Sequence, residues 1–264
     1  MKMKLFTAVL ICSASLSIQK GNAQMFWNQA AQFSGSALCY VSVPNSSSVD
    51  LTGSFSIEAW VNPANNFNKG VISKGGLLGT SLKYGIRING SRVVIHTNGA
   101  PRLSSKTTSL IPVNTWTHIA STYNASTNEF RIYINGVLDS SSIVAGAAPT
   151  TNTDSLYVGI SGASTPFNGK LDEVRLWNRE LSSAEAGNYF RSTLGTSSGI
   201  YNGLILSMTF QNENSSGTKF TARDFSGKEN NGNPRNVIAV DQSFAPLSTI
   251  SINESVDLDG NEDY

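Results

Sequence analysis

The chain has 264 residues, 19 basic and 18 acidic, with a formal net charge of +1 and only two cysteines. Removing residues 1–23 takes three lysines and no acids, which leaves 16 basic against 18 acidic side chains, a charge of −2. That balance excludes a nucleic-acid surface or an anionic-membrane surface, both of which need clustered Lys and Arg.

The N-terminus reads as an export signal. Lys2 and Lys4 form a basic start, Leu5 to Ile18 is apolar, and Gly21-Asn22-Ala23 puts small residues where cleavage before Gln24 needs them. The apolar run is too short and too rich in serine to span a bilayer. Ile11 stands before Cys12, where lipid attachment wants a small residue, so the expected product is not a lipoprotein. Residues 24–240 then form one domain of about 200 residues, enough to bury a core. Its only cysteine is Cys39, so no disulfide can form within the chain. Cys39 reads as a small buried hydrophobe on a strand, with a reactive thiol as the other reading.

Strand patterns follow. Leu38 to Val43 is rich in β-formers and stops at Pro44. Phe55 to Val61 alternates strictly, Phe55, Ile57, Ala59 and Val61 on one face and Ser56, Glu58 and Trp60 on the other. Val71 to Ser73 is a short run between glycines. Tyr84–Ile88 and Ser91–His96 flank Asn89-Gly90, and Glu129–Ile134 and Val137–Asp139 flank Asn135-Gly136. Asn-Gly fits the two positive-φ positions of a type I′ hairpin turn. Trp116–Tyr123, Ser155–Ile160, Lys170–Trp177 and Leu204–Phe210 complete the strands. One helix is expected from Ser182, with Glu185 three residues on as a capping box, running toward Gly195. About ten strands and one short helix make an all-β, two-sheet sandwich.

The end of the chain repeats its beginning. Val256 to Tyr264 matches Gln32 to Tyr40 at a spacing of 224 residues, about one domain. Residues 241–264 therefore read as a linker and the first strand of a second copy.

Ser54 to Val61, the Asn135-Gly136 hairpin, Phe167 to Ser182 and Asp224 to Gly232 together resemble the laminin-G-like and pentraxin-like jelly rolls of the concanavalin A-like superfamily. The resemblance covers about residues 30–240 and is most specific from Gly169 to Leu181. It implies an antiparallel jelly roll, often appended to larger secreted or surface proteins, often sugar-binding and sometimes calcium-bound. Asp172 is the residue that would contribute to calcium. Family members often carry an acid just before the early Tyr, where this chain has Cys39 and the second copy has Asp263. A thiol is a poor ligand for a hard cation, so calcium is expected to bind weakly or not at all.

The chemical candidates are few. Asp172 and Glu173 are strand neighbours and are expected to face opposite ways, so they cannot share a substrate. Glu173 is expected to pair with an arginine such as Arg175. The alternating carboxylate run of glycoside hydrolases of this fold is missing, so no enzyme activity is expected. His96 and His118 have no metal-ligand spacing. Gly75 to Gly79 lacks the Lys-Ser/Thr ending and the helix of a phosphate loop. Trp60, Trp116 and Trp177 read as core, and Trp27 as exposed. Asn65, Asn66, Asn89, Asn98 and Asn152 are loop residues that suit sugars and solvated turns alike. The reading is a secreted or cell-surface binding or adhesion module for glycans or a surface protein, within a longer polypeptide. It involves no nucleic acid and no membrane insertion. A spacer repeat of a surface array is the alternative, and a hydrolase of the same fold the more distant one.

Overall fold

The structure, a computed structural model, describes residues 29–65, 67–77, 81–161, 165–192, 202–210 and 222–240. The signal segment, Cys12, Trp27, Asn66 and the repeat at 256–264 lie outside them.

Within these residues fifteen strands form two antiparallel sheets. They are β1 (Ala30–Ser34), β2 (Tyr40–Val43), β3 (Phe55–Pro63), β4 (Lys69–Lys74), β5 (Tyr84–Asn89), β6 (Arg92–Thr97), β7 (Ala100–Ser104) and β8 (Thr117–Asn124). The second half holds β9 (Glu129–Ile134), β10 (Val137–Ile143), β11 (Leu156–Val158), β12 (Asn168–Trp177), β13 (Leu204–Met208), β14 (Asn233–Arg235) and β15 (Ile238–Val240). Among the described residues a single helix, α1 (Ser183–Tyr189), follows β12. The first sheet runs β10-β9-β8-β3-β12-β1-β15, with β13 also paired to β12; the second runs β14-β2-β11-β4-β5-β6-β7. This is the expected jelly-roll sandwich.

The core lies between the sheets and comes from the apolar half of each alternating pattern. Phe55, Ile57, Ala59 and Val61 of β3 meet Val41 and Val43 of β2, Ile86 and Ile88 of β5, and Val93 and Ile95 of β6 in one cluster. Each such side chain contributes roughly 1.5–3 kcal/mol by leaving water. Cys39 is buried at its edge, its thiol 3.1 Å from the Asn236 carbonyl.

Some local expectations are corrected. Asn135 and Gly136 do carry positive φ between paired Ile134 and Val137. In the other hairpin the positive-φ residues are Gly90 and Ser91, because Asn89 pairs with Arg92. That register sets Ile88 against Val93 and Ile86 against Ile95. Apolar cross-strand pairs outweigh the local preference of Asn-Gly. The capping box of Ser182 and Glu185 is present, but the helix ends at Tyr189 with Phe190 as its C-cap. Trp116 is half-buried ahead of β8, not core. β1, β7, β14 and β15 had no clear sequence pattern.

Candidate functional site

The outer face of the first sheet is covered where β3, β8 and β12 run side by side. Ser56, Glu58 and Trp60 alternate outward from β3, beside His118 of β8 and Arg175 of β12. The chain after β12 straps across them. Ser56 Oγ donates to the Arg179 carbonyl at 2.8 Å, Trp60 Nε1 to the Phe190 carbonyl at 2.8 Å, and Arg175 Nη2 to the Ser192 carbonyl at 2.6 Å. Beneath the strap, Arg175 lies between Glu58 at 3.1 Å and Glu173 at 2.5 Å, and His118 Nε2 is 3.5 Å from Glu58. All four are buried. Burial pushes the Glu58 carboxyl up, but Arg175 and His118 together bring it down to about 2. Burial keeps His118 below its ordinary value, hence neutral.

Glu173 pairs with Arg175 as expected, but Asp172 and Glu173 do not face opposite ways. Asp172 pairs with Trp60 and Arg175 with Glu58, so Glu173 and Val174 bulge opposite Ala59. Glu173 takes a positive φ of 47° and offers its amide to Asp172 Oδ1 at 2.8 Å. The bulge turns both carboxyls toward the covered face. Burial, and then the nearby Glu173, push the Asp172 carboxyl well above the usual range.

The outer face of the second sheet is different. Val41 and Val43 point inward, so Tyr40 and Ser42 point out, as does Tyr157 between Leu156 and Val158. Pairing of β2 with β11 sets Ser42 against Tyr157, and pairing with β14 sets Tyr40 against Arg235 and Ser42 against Asn233. The two tyrosine rings meet edge to face at 5.7 Å, and the Arg235 guanidinium lies 5.8 Å from the Tyr40 ring centre. A recess of about 380 Å³ opens beside them, lined by Leu38, Pro234, Arg235 and Asn236. Leu38 is 65% exposed there. Further across the same face, Arg87 and His96 project outward from β5 and β6, and Ser161 lies over Gly70 of β4, Arg87's neighbour in register. Among the described residues Arg87 Nε, His96 Nδ1 and Ser161 Oγ find no hydrogen-bond partner. Burial lowers His96 to about 4, so its imidazole is neutral.

The family model of the concanavalin A-like lectin/glucanases superfamily matches residues 36–187. The chain belongs to that superfamily. No curated protein matches the chain. Among solved structures, a Bacteroides ovatus protein provisionally assigned to carbohydrate binding is 21% identical with a TM-score of 0.66, over 85% of this chain and 62% of that one. The present chain thus spans less than two thirds of that protein's length. The heptameric SAP-like pentraxin of Limulus polyphemus is 9% identical with a TM-score of 0.49, over 61% of this chain and 81% of its own. The CBM40 of a Ruminococcus gnavus sialidase is 14% identical with a TM-score of 0.48, over 59% of this chain and 95% of its own. At these identities the likeness is one of fold.

For a superfamily member, the calcium expectation at Asp172 meets a poor setting. Calcium takes six to eight oxygens. Asp172 Oδ1 already accepts the Glu173 amide, the Arg175 cation is close by, and the strap closes the face. Among the described residues no three of His, Cys, Asp and Glu gather as metal ligands. These residues do not fit the ion. Two of the described loop asparagines are engaged within the fold. Asn98 ties its loop to Ala148 and Thr150, and Asn152 turns inward to Lys74. Tyr40, Tyr157 and Arg235 were missed because pairing, not sequence proximity, assembles them.

Proposed function

We propose that the chain is an exported, non-catalytic glycan-binding module that takes its ligand on the outer face of the second sheet. The observation that carries this reading is the Tyr40–Tyr157–Arg235 group. Aromatic rings with an apolar body and a polar tip, set beside a fixed cation and amide side chains, are what a sugar's mixed faces require. Ser42, Asn233 and Asn236 supply hydroxyl and amide partners around the rings. The buried carboxylates of the first sheet lie under the strap, away from this face. The carbohydrate-binding assignment of the Bacteroides ovatus protein supports the reading. No helix of the described residues is long and apolar enough to cross a membrane. Partners of the module are surface or free glycans, and further domains of the same polypeptide carry whatever else the protein does.

The test is a glycan array with the mature domain, followed by titration of the best ligand into Tyr40→Ala and Tyr157→Ala. Each substitution is expected to weaken binding about tenfold or more, close to 1.4 kcal/mol, with the circular dichroism spectrum unchanged. Binding that survives both changes would move the site elsewhere. An array with no ligand would remove the reading.

A further inference from the structure

Lys74 is the last residue of β4 and pairs with Tyr84, whose ring is in the core, so its side chain points between the sheets. It is 0% exposed. At that end of the sandwich the segments around Asn45–Asp50 and Asn152–Asp154 close over it. The ammonium lies 2.7 Å from Asn45 Oδ1, 2.9 Å from Asn152 Oδ1, 3.1 Å from the Asn152 carbonyl and 2.5 Å from the Asp154 carbonyl. Asp50 Oδ1 stands behind them at 3.8 Å.

An ammonium has three protons to give. Here four oxygens stand in hydrogen-bonding range with a carboxylate beyond them, more acceptors than one lysine can serve. Four oxygens set around three protons suit a hard, spherical cation, which is bound by carboxylate, amide and backbone oxygens of this kind. The shell also holds itself together. Asn152 gives its backbone amide to Asp50 Oδ1 at 3.2 Å and its Nδ2 to Asp154 Oδ2 at 2.7 Å. Gly75 presses against it so closely that a Cβ there would lie 2.5 Å from Asn152 Nδ2. Lys83 is the other cation close enough to act on Lys74, and Asp50 and Asp154 offset it.

We infer that this is a divalent-cation site which the chain fills with its own ammonium, and that cutting back Lys74 opens it to calcium. The inference does not rest on the glycan reading. The probes are calcium against a chelator in thermal melts, and terbium emission excited through the adjacent Tyr84. Wild type is expected to melt at the same temperature with calcium or chelator and to give no sensitised emission. Lys74→Ala is expected to melt lower in chelator, to regain about 5–10 °C in saturating calcium, and to sensitise terbium. Lys74→Met, which keeps the bulk without the charge, is expected to respond to neither ion. A Lys74→Ala protein that gains nothing from calcium overturns the inference. So does one that stays unfolded in both buffers, since the ion ought to have restored it, or one that gains no more than Lys74→Met.

Discussion

At the scale of single residues, Glu58 holds the most. It accepts from Arg175 and faces His118, both buried, so replacing it leaves a buried guanidinium half-neutralised. Glu58→Gln is expected to cost about 3–5 kcal/mol in urea unfolding at pH 7. A loss under 1 kcal/mol would mean that Glu173 alone satisfies Arg175. The Glu58 carboxyl is lowered to about 2 from 4.5. Its contribution is therefore complete above pH 4.5 and disappears as the pH falls through 2. Asp172 has the opposite sign. Its folded carboxyl is raised above 3.8, so folding takes up a proton, and stability falls as the pH rises from 3.8 through the raised value. Asp172→Asn removes that slope. It is expected to be at least as stable as wild type at pH 7 and relatively more so at pH 8, read from melting curves at both. An advantage that does not grow between the two would show Asp172 to be ionised in the fold.

At the scale of elements, the strap decides which face of the sandwich is free. Ser182 caps α1, and α1 packs Ala186 on Ala120 and Tyr133 while Phe190 stacks near Trp60 and His118. Ser182→Ala loses one half of the capping box and is expected to lower stability by about 1 kcal/mol, read as a shift in the urea midpoint with glycan binding unchanged. A change in binding would place the ligand on the first sheet. The capping box was legible because its two residues are three apart. So was the alternation of β3, which set Glu58 and Trp60 on the outward side. What lay over them was not, since a strap is a tertiary contact with no local signature. The bulge at Glu173 was hidden for the same reason: only pairing with β3 shows that two residues oppose one. The candidate site was the least legible part. Tyr40 and Tyr157 stand 117 residues apart, and only the β2–β11 ladder brings them together. Arg235 sits on a three-residue strand without a pattern of its own.

At the scale of the whole molecule, the fold is held by one core and, with Cys39 free and buried, by no disulfide. Reductant is therefore expected to leave the melting temperature unchanged. The first and last described strands lie side by side: β1 pairs with β15, Ala30 opposite Val240. The described sandwich thus begins and ends at one corner of one sheet, with its first and last strands about 5 Å apart in an antiparallel ladder. Neighbouring ends let a domain be inserted into another without stretching either. They also decide how it answers to force. Tension on the two ends loads the Ala30–Val240 pair first, then Ala31–Ala239, then Gln32–Ile238, opening the ladder one rung at a time instead of shearing all its bonds together. A sandwich tethered this way yields early under pull. It suits a pendant that presents a binding face, not a link that carries tension along a surface fibre.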